Sequence, residues 1–159
     1  MDHKKISVLL KAVITGMAIC GAAVFAYIIP FWGKEIVDSS PELAKFYWPW
    51  VIFSWIACVP CYSVLVFGWR IATSIGKDRP FTVKNAVYLK RIALMAVIDA
   101  AFVFVGNLAL LIANLNHPGV VLIFNLIEFF GIAFAVASAA LSHLVRKAAV
   151  LQEESDLTI

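Results

Sequence analysis

Two acidic residues, Asp99 and Glu128, interrupt long apolar runs in a chain that is 63% hydrophobic. A carboxylate isolated in hydrocarbon costs several kcal/mol, so both side chains are expected to face other helices rather than lipid. Neither run contains a lysine or arginine that could pair with them. Two interpretations stay open. The acids bind a proton, a cation or a small molecule, or they form a structural hydrogen-bond clamp with Asn107, Asn125 or a serine.

Helical spacing places other polar and small residues beside the two acids. One face of the third run contains Asp99, Val103, Gly106, Asn107, Leu110 and Asn114. One face of the fourth run contains Asn125, Glu128, Ile132, Ala135, Ala139 and Ser142. Gly131, Ala135 and Ala139 are spaced four apart, which favours close contact between helices. We predict that the two faces meet at a candidate site of Asp99, Asn107, Asn125 and Glu128, with Glu128 nearer the depth of Asn107 than that of Asp99.

A Cys-x-x-Cys sequence, formed by Cys58 and Cys61, lies in the second run near the predicted depth of Asp99. Such pairs occur in quinone-linked disulfide enzymes, which need a second dithiol facing outward. The predicted outer loops contain no cysteine. We therefore interpret these cysteines as packing residues and keep a membrane thiol oxidoreductase as a third-ranked alternative.

Other catalytic patterns are missing from the sequence. The three histidines are scattered at predicted helix boundaries, and no histidine lies within a predicted span. There is no Ser-His-Asp set and no glycine-rich phosphate loop. We predict a protein that is not an enzyme and has neither a metal nor a cofactor.

The elements that must position these residues are four apolar runs. Each exceeds the about 20 residues that a helix needs to cross about 30 Å of hydrocarbon, and a spanning segment must satisfy its own backbone hydrogen bonds. The predicted fold is all-α, a single four-helix transmembrane domain over residues 1–159, arranged as two antiparallel hairpins. The predicted spans are 10–32, 46–69, 92–114 and 120–142.

The distribution of cations predicts the orientation in the membrane. Only Lys34 and Lys45 fall in the predicted outer loops. The other eleven cations are Lys4, Lys5, Lys11, Arg70, Lys77, Arg79, Lys84, Lys90, Arg91, Arg146 and Lys147. Both termini, the loop 70–91 and the tail 143–159 are therefore predicted to be cytoplasmic, in a bacterial inner membrane. These cations set the orientation of the helices and lie beside anionic lipid headgroups, which explains the net charge of +3. We therefore predict no direct binding of nucleic acid.

The segment "GKDRPFTVKNAVYLKRIA", residues 76–93, is the most polar stretch of the chain. Gly76 and Pro80 interrupt the helical pattern, and Thr82 is placed to cap a helix that starts at Val83. Two interpretations stay open for this segment. It is the entry of a helix into the membrane with snorkelling cations, or a docking platform for a partner.

The segment 76–93 and the terminal "LQEESDLTI" together resemble a family of small uncharacterised four-helix bacterial membrane proteins. The matching positions are Gly76, Pro80, Phe81, Asn85, Leu89, Leu151, Glu153, Glu154, Asp156, Leu157, Thr158 and Ile159. Members are often encoded beside a helix-turn-helix regulator of the Cro or phage-repressor type. The resemblance implies association with such a regulator and supplies no catalytic residue.

The leading functional hypothesis is a non-enzymatic membrane regulator whose cytoplasmic loop and tail bind a soluble helix-turn-helix partner. The binding residues would be Pro80, Phe81, Asn85, Leu89, Leu151, Glu153, Glu154, Asp156, Leu157 and Ile159. The alternative is a small transporter or an ion- or proton-binding membrane protein that uses Asp99 and Glu128. A homo-oligomer in the lipid bilayer is compatible with either hypothesis.

Overall fold

The computed structural model describes residues 3–116 and 118–156, and the regular structure in these residues is entirely helical. The α-helices are α1 (His3–Ala23), α2 (Ile29–Ser39), α3 (Tyr47–Ile75), α4 (Val83–Ile112) and α5 (Pro118–Asp156). A short 3₁₀ segment, Pro41–Phe46, joins α2 to α3.

One π-helical turn, Val24–Ile28, connects α1 to α2, so α1 and α2 form one continuous long helix. The backbone N–H of Ile29 bonds five residues back to the carbonyl of Val24. Pro30 follows and has no N–H to donate. The wider turn accommodates the break in the hydrogen-bond ladder that this proline imposes.

Four helical stretches are long and apolar enough to cross a membrane, which confirms that part of the prediction. They are His3–Ser39, Pro41–Ile75, Val83–Ile112 and Val121–Ser155. The helices extend beyond the predicted spans. In particular, only residues 76–82 of the predicted loop 70–91 lie between helices, and α5 continues to Asp156.

The long helices pack as a row, an open form of helical bundle. In the described residues α1 contacts α3, α3 contacts α4, and α4 contacts α5, whereas α1 contacts neither α4 nor α5. At most 11% of the residues in the most apolar stretch of any span are buried. Apolar side chains on the two faces of such a row carry no penalty in a lipid environment, which is as apolar as they are.

The contact between α4 and α5 follows small residues on α5. Ala135, Ser138, Val145 and Ala149 are buried, and the Ser142 hydroxyl donates to the backbone carbonyl of Ala86 at 2.7 Å. These positions alternate in steps of three and four, which keeps them on one side of a helix.

Two residues of the predicted α5 face, and Gly131 of the predicted small-residue stripe, do not belong to this contact, so that part of the prediction was wrong. Ile132 and Ala139 are exposed, and a Cβ added at Gly131 would meet nothing within 4 Å. Successive steps of four rotate steadily around a helix. Of the stripe Gly131–Ala135–Ala139, only Ala135 therefore lies in the contact with α4.

The contact between α3 and α4 is aromatic. The ring of Phe53 stacks on that of Phe102 with centroids 4.7 Å apart, and it fills the notch beside Gly106. A Cβ at position 106 would collide with the Phe53 ring. Gly106 therefore lets α3 and α4 approach closely next to the predicted site.

Candidate functional site in the membrane

Asp99 on α4 is held by a side chain of α3. The thiol of Cys61 donates to Asp99 Oδ2, with Sγ and Oδ2 3.2 Å apart. The prediction that the cysteine pair lies near the depth of Asp99 is therefore confirmed for Cys61. All three cysteines are free thiols, so Cys58 and Cys61 form no disulfide.

Glu128 on α5 lies at the level of Asp99, not at that of Asn107. Thirteen residues separate Ala86 from Asp99 and fourteen separate Ser142 from Glu128, and Ala86 contacts Ser142 directly. The predicted depth of Glu128 was wrong because it was counted from predicted helix ends, whereas the register is set by the packing of small residues on α5.

Each of these two carboxyl groups has an oxygen that is buried without a hydrogen bond. The atoms are Asp99 Oδ1 and Glu128 Oε1, for which no described residue supplies a donor. Buried polar oxygens in proteins nearly always have a partner, so two such atoms at one level are an unusual feature. The predicted clamp between these acids and an asparagine or serine is not formed at these two atoms.

Asn107 is buried, but it belongs to a different part of the molecule. Its Nδ2 donates to the carbonyl of Val103 at 3.0 Å, and its Oδ1 accepts from Asn116 Nδ2 at 3.1 Å. It thus ties the end of α4 to the connection that leads into α5. Asn125 is half-buried on α5, about one turn before Glu128. The four predicted site residues therefore separate into a carboxyl pair, Asn125 beside it, and Asn107 nearer the end of α4.

The chemistry that this pair offers is that of two carboxyl groups and one thiol. Within residues 3–116 and 118–156, no group of three or more histidine, cysteine or acidic side chains is arranged to hold a metal ion. A carboxyl pair can instead hold a proton, which turns one oxygen into a donor for the other group.

The second polar region of the chain is the connection between α3 and α4. The Thr82 hydroxyl accepts from the backbone N–H of Asn85 at 3.1 Å, which confirms the predicted N-cap. The Asn85 side chain is 2% exposed. Its Nδ2 donates to the Ser74 hydroxyl and to the carbonyls of Arg79 and Pro80, at 2.9–3.2 Å.

Sequence reasoning missed this structural role of Asn85, although a signal was present. An asparagine three residues after a capping threonine, beside a proline-containing turn, is well placed to satisfy the carbonyls of that turn. Packing explains why position 76 is a glycine. A Cβ at this position would lie 2.6 Å from the Ser7 hydroxyl, which donates to the carbonyl of Ala72.

The remaining predicted partner-binding residues are distributed over two elements. Phe81 is 51% exposed, while Pro80 and Leu89 are half-buried. Leu151, Glu153 and Glu154 are exposed on the last turns of α5, and Asp156 ends that helix. Leu157 and Ile159 lie outside the described residues. Asn85, being buried and hydrogen-bonded within the connection, presents no side chain for a partner.

Comparison with known proteins places the chain in a family. The model of the family described as "Protein of unknown function (DUF2975)" matches residues 32–159, so the chain belongs to that family. The chain is also 24% identical over 155 residues to the "Uncharacterized membrane protein YoaS" of Bacillus subtilis (strain 168), covering 96% of this chain and 97% of the relative. No solved structure matches it. With its four candidate spans, the chain is a multi-pass membrane protein.

Proposed function

We propose that this DUF2975 protein is a non-enzymatic integral membrane protein that binds a proton between Asp99 and Glu128. The observation that carries the proposal is the pair of buried, unpartnered oxygens, Asp99 Oδ1 and Glu128 Oε1. Two ionised carboxyl groups at one level of adjacent helices in hydrocarbon are strongly disfavoured. One shared proton removes a charge and supplies the missing donor.

The surroundings of the pair favour a proton over a metal ion. Oxygen-preferring cations such as Ca²⁺ and Mg²⁺ take six or more ligands, far more than two carboxyl groups and a thiol can supply. The thiol of Cys61 donates a hydrogen bond to Asp99 Oδ2, whereas Asp99 Oδ1 has no donor among the described residues. Cys61 therefore acts as a positioning residue for the Asp99 carboxyl group.

Infrared titration of the purified protein in nanodiscs tests the proposal. A protonated buried carboxyl group has its own C=O stretching band, which is expected at neutral pH and is abolished in the double variant Asp99→Asn/Glu128→Gln. Each single variant should shift the band, because the remaining acid stays protonated in hydrocarbon but loses its carboxyl partner. Glu42→Gln, which replaces an exposed acid in the 3₁₀ segment, serves as the control and leaves the band unchanged. A neutral-pH spectrum without the band, or a band that is unchanged in both single variants, contradicts the proposal.

Proton transfer across the membrane is the extension of this proposal. Liposomes that contain the protein and a pH-sensitive dye would report a proton flux in the parent, and Asp99→Asn and Glu128→Gln would abolish it. If the protein binds a proton but shows no proton flux, the small-transporter hypothesis is excluded and a proton-sensing role remains.

We further propose that the helices form two antiparallel hairpins with both termini in the cytoplasm of a bacterium. The cation distribution supports this orientation, since eleven of the thirteen lysine and arginine residues lie within residues 4–11, 70–91 and 146–147. Protease treatment of inverted and right-side-out vesicles would test it. A carboxyl-terminal tag should be cleaved only in the inverted vesicles.

A second candidate function is regulation through the proposed cytoplasmic face. The supporting observation is the helical end of α5, which extends to Asp156. One face of this end carries His143, Arg146, Lys147, Val150, Leu151 and Glu154. Leu151 is 57% exposed, and an apolar side chain on a charged helix suits an apolar contact with a soluble protein.

A small helix-turn-helix regulator encoded beside the gene is the partner to test. Its purified form should bind the parent protein in nanodiscs and lose binding when residues 151–159 are deleted. Lys77→Gln, which removes one exposed charge from the connection, should leave binding unchanged. Equal binding by the deletion variant, together with unchanged transcripts in cells, would exclude this candidate.

A further inference from the structure

A stack of two arginines and two aromatic rings lies at the ends of α3 and α4 that adjoin the connection 76–82. The rings of Phe67 and Tyr88 are stacked, with centroids 5.7 Å apart. The guanidinium carbon of Arg70 lies 5.6 Å from the Tyr88 ring, and that of Arg91 lies 5.7 Å from the Phe67 ring. Cation–π contacts therefore hold both guanidinium groups in defined positions.

This stack has a strong positive charge. Lys84 also interacts with Tyr88, which places a third cation at the same location. In the part of the chain that the structure describes, no acidic side chain forms an ion pair with Arg70 or Arg91. Two cations at Tyr88 and a third at Phe67 repel one another, so an anion bound among them would stabilise the arrangement.

An apolar groove leads from these arginines into the membrane-spanning part of the row. Its volume is about 670 Å³, and it is lined by Cys58, Val59, Tyr62, Ser63, Val66, Phe67, Arg70 and Arg91. From Arg70 to Cys58 the groove follows α3 for about 18 Å at 1.5 Å per residue. The polar groups of two lining residues are satisfied internally, because the Tyr62 hydroxyl donates to the carbonyl of Ala18 and the Ser63 hydroxyl to that of Val59.

We propose that this groove binds one anionic phospholipid. Its phosphate group would lie between Arg70 and Arg91, and an acyl chain would follow the groove past Val66 toward Cys58. The combination of a cationic end and an apolar wall within a candidate span matches a molecule with a phosphate and a long hydrocarbon chain. A free phosphate would use only the cationic end. A soluble macromolecule would not reach the wall, which lies along a membrane-spanning helix.

The affinity of the protein in nanodiscs for a fluorescent phosphatidylglycerol, with phosphatidylcholine as the reference lipid, tests the cationic end. The double variant Arg70→Gln/Arg91→Gln should weaken phosphatidylglycerol binding by at least about tenfold, which corresponds to about 1.4 kcal/mol, because two charge-assisted contacts with the phosphate would be lost. The matched control is Lys77→Gln/Lys90→Gln, which removes two exposed cations from the same end of the molecule. The control should change the affinity by less than about twofold. Equal losses in the two double variants would overturn the proposal.

A second variant tests the apolar wall and keeps the charges intact. Val66 is 50% exposed, so Val66→Trp can fill the groove without disturbing the contact between α3 and α4. It should weaken the binding of phosphatidylglycerol and leave unchanged any competition by inorganic phosphate. If inorganic phosphate at millimolar concentration displaces the lipid completely, or if Val66→Trp binds it as tightly as the parent does, the groove is not a lipid site. This variant decides the question even if the arginine variant fails to fold.

Discussion

Two regions of the molecule, the connection between α3 and α4 and the carboxyl pair on α4 and α5, differ in whether their buried polar atoms have hydrogen-bond partners. In the connection, the buried amide of Asn85 satisfies three acceptors in the turn that it joins. In the carboxyl pair, two buried oxygens accept nothing from the described residues. Both regions place polar atoms in a chain whose surroundings are mainly apolar.

The difference indicates which polar residues stabilise the fold and which are available for chemistry. A fully satisfied polar network fixes one backbone conformation and lowers the free energy of the folded state. Buried acceptors without donors do the reverse, and they persist where a ligand or a proton completes them. The comparison predicts that substitutions in the connection mainly lower stability, whereas substitutions in the carboxyl pair mainly change proton binding.

The largest loss of stability is expected for Asn85→Ala. The substitution removes the donor of three hydrogen bonds and leaves the Pro80 carbonyl without this donor, whereas the Arg79 carbonyl keeps the bond from the Ser74 hydroxyl. We expect the free energy of unfolding to fall by about 2–3 kcal/mol, because three hydrogen bonds of a buried side chain are lost. Thermal unfolding in a fixed detergent measures the change. Lys77→Ala in the same connection is the control and should have little effect, and similar losses for both would show that the Asn85 network is not a stabilising element.

An intermediate effect is expected for Gly106→Ala, which adds a methyl group where the Phe53 ring lies. The overpacked contact between α3 and α4 should lower the free energy of unfolding by about 1–3 kcal/mol. Gly131→Ala is the matched control, because its added Cβ would meet nothing within 4 Å. Removing that glycine should raise the stability of α5 by up to about 1 kcal/mol. The same unfolding measurement separates the two outcomes, and a stabilising Gly106→Ala would show that α3 and α4 do not approach closely there.

The smallest effect on stability is expected for Asp99→Asn and Glu128→Gln. Neither substitution removes a donor, and the amide oxygen introduced at position 99 could still accept from the Cys61 thiol. The free energy of unfolding should stay within about 1 kcal/mol of the parent, or rise, because a group that is costly when charged becomes neutral. Each of these two variants should nevertheless shift the infrared band of the protonated carboxyl group. A loss of stability as large as that of Asn85→Ala would mean that the carboxyl pair is a structural clamp.

The sequence predicted which acids belong to the candidate site, but it did not predict how the predicted site residues are arranged. Asp99 and Glu128 were recognisable because an acid within an apolar run is rare. The assignment of Asn107 to the same site was a reasonable consequence of helical spacing, yet Asn107 bonds to Asn116 near the end of α4. Spacing along one helix does not determine which residue of a neighbouring helix lies opposite.

The sequence by itself determined the four apolar helices and the helix start at Thr82. Both depend on local chemistry: the solvent of a segment follows from its own side chains, and an N-cap bonds within one turn. Only the tertiary structure decided that α1, α3, α4 and α5 form a row, that Asp99 accepts from Cys61, and that Glu128 lies at the level of Asp99. The axial register and rotation of a helix against its neighbour depend on contacts between distant segments, such as Phe53 in the notch at Gly106 and Ser142 against Ala86.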